Sequence, residues 1–399
     1  MSWTEEALEK SLLKIERNME GIGEHFPHVE YDGIYNDQGA SFWTSGFWPG
    51  MLWLLYQEKK DENAFRLARR LERRLDEVLD GFVTLHHDVG FMWLPSAVID
   101  YKLTGSEEAR IRGLKAASHL AGRFNLAGQF IRAWTDEVNP GSRGWAIIDC
   151  MMNIPLLFWA SRESKDPRFY HIAKAHADTV LRCFIRPDNT SAHIVSFDPY
   201  TGEKIENLGG QGKDGDSAWS RGQAWTIYGM ALAYRETGKA EYLTAAKNSA
   251  DYFLSHLPAD QVPYWDFRSE AKDRSVLDSS ASACAASGLL EICSLMEDCV
   301  EREFYYEKAL IILKSLYENY ADFSEKTQGL IQKGTVNYAK NKHVNVPIIY
   351  GDYFFVEALI KLKHPTKKIC LPYFSGGAHG AFDVLTAYAG LLPECRADF

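Results

Sequence analysis

The chain has 399 residues, of which 46% are hydrophobic, and its formal net charge is −10. That length suits one large barrel domain, and the acidic balance, with no Lys/Arg-rich run, argues against a nucleic-acid partner or an anionic membrane surface. No run of about 18 apolar residues predicts a membrane span, the opening MSWTEEALEK lacks the basic start and apolar stretch of a signal peptide, and seven scattered cysteines fit reduced thiols in a cytoplasm better than a disulfide framework or a zinc site.

Taken in order, the predicted elements alternate between two kinds of helix. The first kind is amphipathic: WTEEALEKSLLKIERNM at the start, then NAFRLARRLERRLDEVL, SEEARIRGLKAASHLAGRF, DPRFYHIAKAHADTVLRCF, AEYLTAAKNSADYFLSHL and EFYYEKALIILKSLYENY. Their apolar residues recur at helical spacing, as at Phe169, Ile172, Ala173, His176 and Ala177. The second kind follows each of the first and is apolar almost all round. These segments are TSGFWPGMLWLLYQ from Thr44, HDVGFMWLPSAVIDY from His87, GWAIIDCMMNIPLLFWAS from Gly144, SRGQAWTIYGMALAYRET from Ser220, DSSASACAASGLLEICSLM from Asp278 and YGDYFFVEALIKL from Tyr350. A helix apolar on all sides is buried.

Six buried helices ringed by six amphipathic ones predict an all-α fold, an (α/α)6 barrel, with an open α-solenoid as the alternative. The buried helices are too apolar for one open concave face, which favours closure. The polar loops precede the buried helices and therefore gather at one mouth. Strand-like runs near His193 (HIVSFDP) and Tyr264 (VPYWDF) predict short β-hairpins there. No linker is visible, so residues 1–373 read as a single barrel domain and 374–399 as a tail or extra helix. The expected state is a monomer or weak homodimer.

The mouth supplies six candidate carboxyls: Asp88, Asp149, Asp214, Asp216, Asp278 and Asp352. Glycosidase chemistry usually places two carboxyls about one sugar, one of them kept protonated by its surroundings. Asp149 sits inside AIIDCMMNIPLLFW, where an isolated charge is costly, so it is either paired or altered in its proton affinity. Asn153, four residues on, is expected to share its helix face and orient it. The competing reading is a carboxyl that staples neighbouring helices. Asp88, in LHHDVGFMW, reads either as a helix N-cap or as one of the candidate carboxyls facing the sugar. His86 and His87 are adjacent and would point oppositely in an extended loop. In GGQGKDGDSAWSRGQAW, Arg221 and Trp225 share a helix face, offering a fork for a carboxylate and a flat surface for a sugar. No phosphate-loop, zinc or calcium spacing occurs, so no cofactor and no metal are expected, and activity should survive chelation.

Together FPHV, FWTSGFWPGMLWLLY, LHHDVGFMW, GWAIIDCMMNIPLLFWA, SRGQAW, YWDF, DSSASACAASGLLEI and YGDYFFVEAL resemble the unsaturated glucuronyl hydrolases, glycoside hydrolase family 88. The resemblance spans about Phe26 to Leu362. It implies an (α/α)6 barrel that releases a terminal 4,5-unsaturated uronic acid from lyase-generated oligosaccharides, of glycosaminoglycan type, by hydrating the C4=C5 double bond. It implies Asp149 as acid and base, Asp88 as its partner, and a pocket lined by Trp43, His87, His193, Gln211, Trp219, Arg221 and Trp225. Tyr338, in KGTVNYAKNKHV from Lys333, is expected to face the pocket, with Lys340 or Lys342 meeting a sulfate. Unsaturated rhamnogalacturonyl hydrolases, on pectin fragments, and a sugar epimerase on the same barrel are the alternatives.

Overall fold

The computed structural model describes residues 1–365. The tail at 374–399 lies outside the described residues, as does the end of the domain drawn at 373. The helices in order are α1 (Trp3–Ile22), α2 (Phe47–Lys59), α3 (Glu62–Gly81), α4 (Val89–Trp93) and α5 (Ile99–Thr104), α6 (Glu107–Ala121), α7 (Pro155–Ser164), α8 (Pro167–Cys183), α9 (Ser220–Thr237), α10 (Ala240–Ser255), α11 (Ser279–Leu295), α12 (Cys299–Ser315) and α13 (Ile349–Lys363). A π turn at Leu94–Val98, opened by Pro95, joins α4 and α5 into one rod. The amphipathic segments form α1, α3, α6, α8, α10 and α12. The apolar segments form α2, the α4/α5 rod, α7, α9, α11 and α13.

The burial pattern follows the two kinds of sequence. Helix α3 buries Ala64, Leu67, Ala68, Leu71 and Leu75 along one stripe and leaves Arg66, Arg70 and Arg73 exposed. By contrast, every residue from Ser220 to Ala233 in α9 and from Ser279 to Cys293 in α11 is buried. The inner ring closes. Helix α2 packs on the π turn, α4 on α7, α7 on α9, α9 on α11, α11 on α13, and α13 returns to α2. An open solenoid would lack that last contact. Small residues permit the close crossings: a Cβ on Gly229 would stand 2.5 Å from Met151 Cβ. Trp48, Trp53, Trp93 and Trp225 are fully buried, each contributing about 1.5–3 kcal/mol of apolar transfer.

Short antiparallel strands decorate the barrel: β1 (Pro27–Tyr31) with β2 (Ile34–Asp37), β3 (Phe124–Asn125) with β4 (Phe130–Ile131), and the sheet β5 (Trp145–Ile147), β6 (Ile194–Phe197), β7 (Lys204–Leu208). The hairpin expected near His193 is β6–β7. The run near Tyr264 makes only isolated bridges, Trp219 to Asp266 and Tyr264 to Leu277. The segment from Gly144 is not one helix. Its start, Trp145–Ile147, pairs with β6 as β5, Ile148–Met152 form a 3-10 turn, and α7 begins only at Pro155.

Candidate active site

The inner and outer helices begin differently. Five of the six outer helices carry a side-chain N-cap, from Ser2, Asp61, Ser106, Asp166 and Asp298. None of the inner helices does, although Asp88 and Asp278 occupy N-cap positions. The polar residues at the mouth are therefore not spent on capping, and their side chains make other contacts.

Four of the six mouth carboxyls have evident structural places. Asp214 and Asp216 are exposed, and Asp214 accepts the Asp216 N–H within a turn. Asp278 is buried against the Arg221 guanidinium. Asp352 accepts hydrogen bonds from Tyr35 Oη (2.7 Å), Leu330 N (2.9 Å) and Ile331 N (2.8 Å), and burial raises its pKa to about 7. Asp88 and Asp149 remain.

Asp88 lies under three neighbours. Asn153 Nδ2 donates to its Oδ1 (3.0 Å), and His86 Nδ1 and His87 Nε2 lie 3.3 and 3.4 Å from its Oδ2. Burial pushes the carboxyl up, but His87, His86 and Asn153 outweigh it and hold the pKa below the usual value. His87 is lowered to about 4, chiefly by burial, against the attraction of Asp88. The two histidines do not point oppositely as expected. The chain turns at His87–Asp88 instead of running extended, and both rings reach the same carboxylate.

Asn153 was expected to orient the Asp149 carboxyl across a helical turn. It instead holds the Asp149 main-chain oxygen (3.1 Å), while its own Oδ1 accepts Phe91 N–H (2.8 Å). The reason is local: Asp149 sits in a 3-10 turn, which does not set residues four apart on one α-helical face. Gly90 makes room for this amide, since a Cβ there would fall 2.4 Å from Asn153 Cα. Asn153 thus ties the backbone of one carboxyl to the side chain of the other.

The Asp149 side chain keeps 13% of its surface exposed, and its Oδ2 has no hydrogen-bond partner among the described residues. That oxygen stands 3.6 Å from His193 Nε2. Gln211 N–H donates to His193 Nδ1 (2.8 Å) and Gly209 O lies 3.3 Å from the same nitrogen; the closer N–H favours Nδ1 as acceptor, with the proton of the neutral ring on Nε2, facing Asp149. Trp219 packs on the same imidazole, with centroids 4.4 Å apart.

Arg221 differs from the free fork expected of it. Nη1 donates to Asp278, Ser280 Oγ (3.4 Å) and Thr335 O (2.6 Å), while Nη2 donates to Gln211 Oε1 (2.7 Å) and Val336 O (2.8 Å). The guanidinium lies over Trp219 and Tyr350, 4.6 and 5.2 Å from their centroids. It fastens Gln211 and the 335–336 backbone to the barrel. Trp43 continues the wall, 5.1 Å from Tyr350 and 5.3 Å from Phe91. Trp225 is fully buried against Phe91 (5.2 Å) and Phe354 (5.6 Å), a packing position beneath the others.

Tyr338 stands apart from this network. Its ring meets Trp265 (5.1 Å) and its hydroxyl donates to Asp273 (3.0 Å). Lys340 and Lys342 are exposed. Two contributors escaped the sequence reasoning. His86 is the neighbour of an expected pocket residue, and Tyr350, which joins Trp43 to Arg221, lies within the YGDYFFVEAL motif. Its signal was its place at the first turn of an inner helix.

The chain matches the Glycosyl Hydrolase Family 88 model over residues 14–363. It is 39% identical over 354 residues to an unsaturated glucuronyl hydrolase of Bacillus sp. (strain GL1), covering 87% of this chain and 93% of that one. It is 36% identical over 362 residues to an unsaturated chondroitin disaccharide hydrolase of Streptococcus pneumoniae, covering 89% and 91%. The crystal structure of the Bacillus sp. GL1 enzyme, described as responsible for the degradation of glycosaminoglycan, superposes with a TM-score of 0.90, covering 94% of this chain and all of that one. The closed ring of inner helices, with a family match over nearly the whole described length, identifies the chain as a glycosidase belonging to glycoside hydrolase family 88.

Proposed function

We propose that this glycosidase removes the terminal 4,5-unsaturated uronic acid from glycosaminoglycan-type oligosaccharides produced by polysaccharide lyases. The relatives named for glucuronyl and chondroitin disaccharide substrates support this class over pectin fragments. In this reading the reaction is a hydration. Asp149 delivers a proton to C4 of the double bond. A water then adds at C5, giving up its proton to the same carboxylate. The resulting hemiketal opens and releases the neighbouring sugar, and Asp149 is again protonated.

The observation that carries the assignment is the linkage of Asp149 and Asp88 through Asn153, with Asp149 Oδ2 left without a hydrogen-bond partner among the described residues. Asp88 is the permanently charged member, holding ring hydroxyls and restraining the charge on Asp149. Trp43, partly exposed, offers an aromatic face for the ring, and the buried Trp219 and Tyr350 back the pocket wall. Arg221 acts on the pocket through Gln211 and the 335–336 backbone. Tyr338, with Lys340 and Lys342, would meet the following sugar, outside the reacting centre. The convergence of His86 and His87 on one carboxylate disfavours an epimerase, which wants two imidazoles working on one substrate.

No helix among the described residues is long and apolar enough to cross a membrane. The free thiols of Cys150, Cys183, Cys284, Cys293 and Cys299 favour a cytoplasmic enzyme, acting as a monomer or weak homodimer. The test is spectroscopic. The ultraviolet band of the conjugated double bond should fade as an unsaturated uronyl disaccharide is consumed, while the saturated disaccharide stays intact. Equal cleavage of both would refute the hydration.

A further inference from the structure

The loop before α4 brings three donor atoms together: His86 Nδ1, His87 Nε2 and Asp88 Oδ2. One ligand atom from each lies within 4.8 Å of the others. Two of the edges are 3.3 and 3.4 Å. Imidazole nitrogen and carboxylate oxygen bind zinc at about 2.0–2.2 Å, and corners of such a tetrahedron stand about 3.3–3.6 Å apart. The Asp88 edges already have that length. In the resting protein a ring N–H facing the carboxylate accounts for the proximity; a cation takes that place when the proton moves to the other ring nitrogen or to solvent, which exposes the lone pair.

We propose that His86, His87 and Asp88 form a reversible binding site for a borderline transition-metal dication, Zn2+ or Cu2+, whose occupancy switches the enzyme off. The donor set selects the ion. Two imidazoles and one carboxylate oxygen suit Zn2+ and Cu2+ and serve Ca2+ or Mg2+ poorly, since those demand several oxygens. Access comes from the His86 and Asp88 side, where 16% and 12% of the side chains remain exposed, while His87 is closed off at 2%. A water can therefore take the fourth position, as in an open zinc site.

The same geometry sets the strength. A histidine ligand is normally braced through its other nitrogen, and His87 Nδ1 has no such partner among the described residues. Lack of that brace typically costs about 10–100-fold in affinity. The site therefore suits micromolar, reversible occupancy and not a resident ion. Inhibition follows because the ion would take the Asp88 oxygen, and that consequence rests on the role proposed above for Asp88.

The experiment separates binding from inhibition. Zn2+ is titrated into the chelator-treated whole chain by calorimetry, and Co2+ is followed by its visible absorption. In parallel, turnover of an unsaturated disaccharide is measured against Zn2+ and normalised to each protein's own metal-free rate. The expected result is one site with a micromolar dissociation constant, inhibition relieved by EDTA and by raised substrate, and a tenfold or greater loss of affinity in His86→Gln. Asp88→Asn should weaken binding in calorimetry also, which needs no activity. No binding at millimolar Zn2+ would overturn the proposal, as would equal affinity in wild type and both variants, which would point to thiols. Binding without inhibition would leave the site standing and contradict the role of Asp88.

Discussion

Asn153 uses both ends of its amide. The oxygen takes the Phe91 N–H, and the nitrogen divides between the Asp88 carboxylate and the Asp149 carbonyl. Asparagine meets this need because one side chain must donate twice and accept once in a fully buried place. Aspartate has the same shape but no such donor, and at neutral pH it would set a second negative charge 3.0 Å from Asp88. Like charges raise each other's pKa. Asn153→Asp should therefore fold, lose roughly 10²-fold in turnover through misplacement of the carboxyls, and move the acid limb of its pH–rate profile to higher pH. A slower enzyme with an unmoved profile would reduce Asn153 to packing. From the sequence, Asn153 was suggested by spacing alone. Spacing pointed to the right residue and the wrong contact, because the 3-10 turn around Asp149 breaks the α-helical geometry on which spacing depends.

At the scale of elements, the two rings of helices divide their labour. Five of the six outer helices are stabilised at their starts by side-chain caps, and inner helices by burial on all sides. Asp61 accepts both Asn63 N–H and Ala64 N–H (2.8 Å each) at the start of α3. Asp61→Ala should cost about 0.5–2 kcal/mol and leave kcat unchanged, measured by denaturant unfolding and turnover together. A loss of turnover at unchanged stability would contradict this division. The alternation was legible because outer segments carry a 3.6-residue stripe while inner ones carry none. The mouth was less legible. The β1–β2 hairpin went unread although Asp32 and Gly33, at φ 51° and 85°, are the Asp-Gly pair that a tight hairpin turn favours. The β5 strand was hidden because a short apolar run reads equally as buried helix or buried strand. The tie from Arg221 to the 335–336 backbone joins residues more than a hundred positions apart, which no local pattern can announce.

For the whole molecule, buried histidines set the response to acid. Burial lowers His28 and His176 to about 3 and His87 and His119 to about 4. The unfolded chain would protonate them near 6.5. Below that pH the unfolded state binds more protons, so stability is complete above about 6.5 and is lost as pH falls toward 4. Asp352, raised by burial to about 7, and Glu72 and Asp266, also raised by burial, act in the opposite sense over this window, but they are outnumbered by the lowered histidines. The melting temperature should fall steadily between pH 6.5 and pH 4, and a flat or rising trend would contradict this reading of the core. Stability and chemistry share His87 but otherwise rest on different residues, so they can be measured apart, and Asp149 is where that separation decides most. Asp149→Asn keeps the shape and some hydrogen bonding of the side chain but cannot transfer the proton. On one preparation, thermal stability, disaccharide binding and turnover should be measured together. Near-native melting and binding with turnover reduced by about 10⁴-fold, the upper end of general acid–base effects, is the predicted result. A stable Asp149→Asn protein with full turnover would contradict the account.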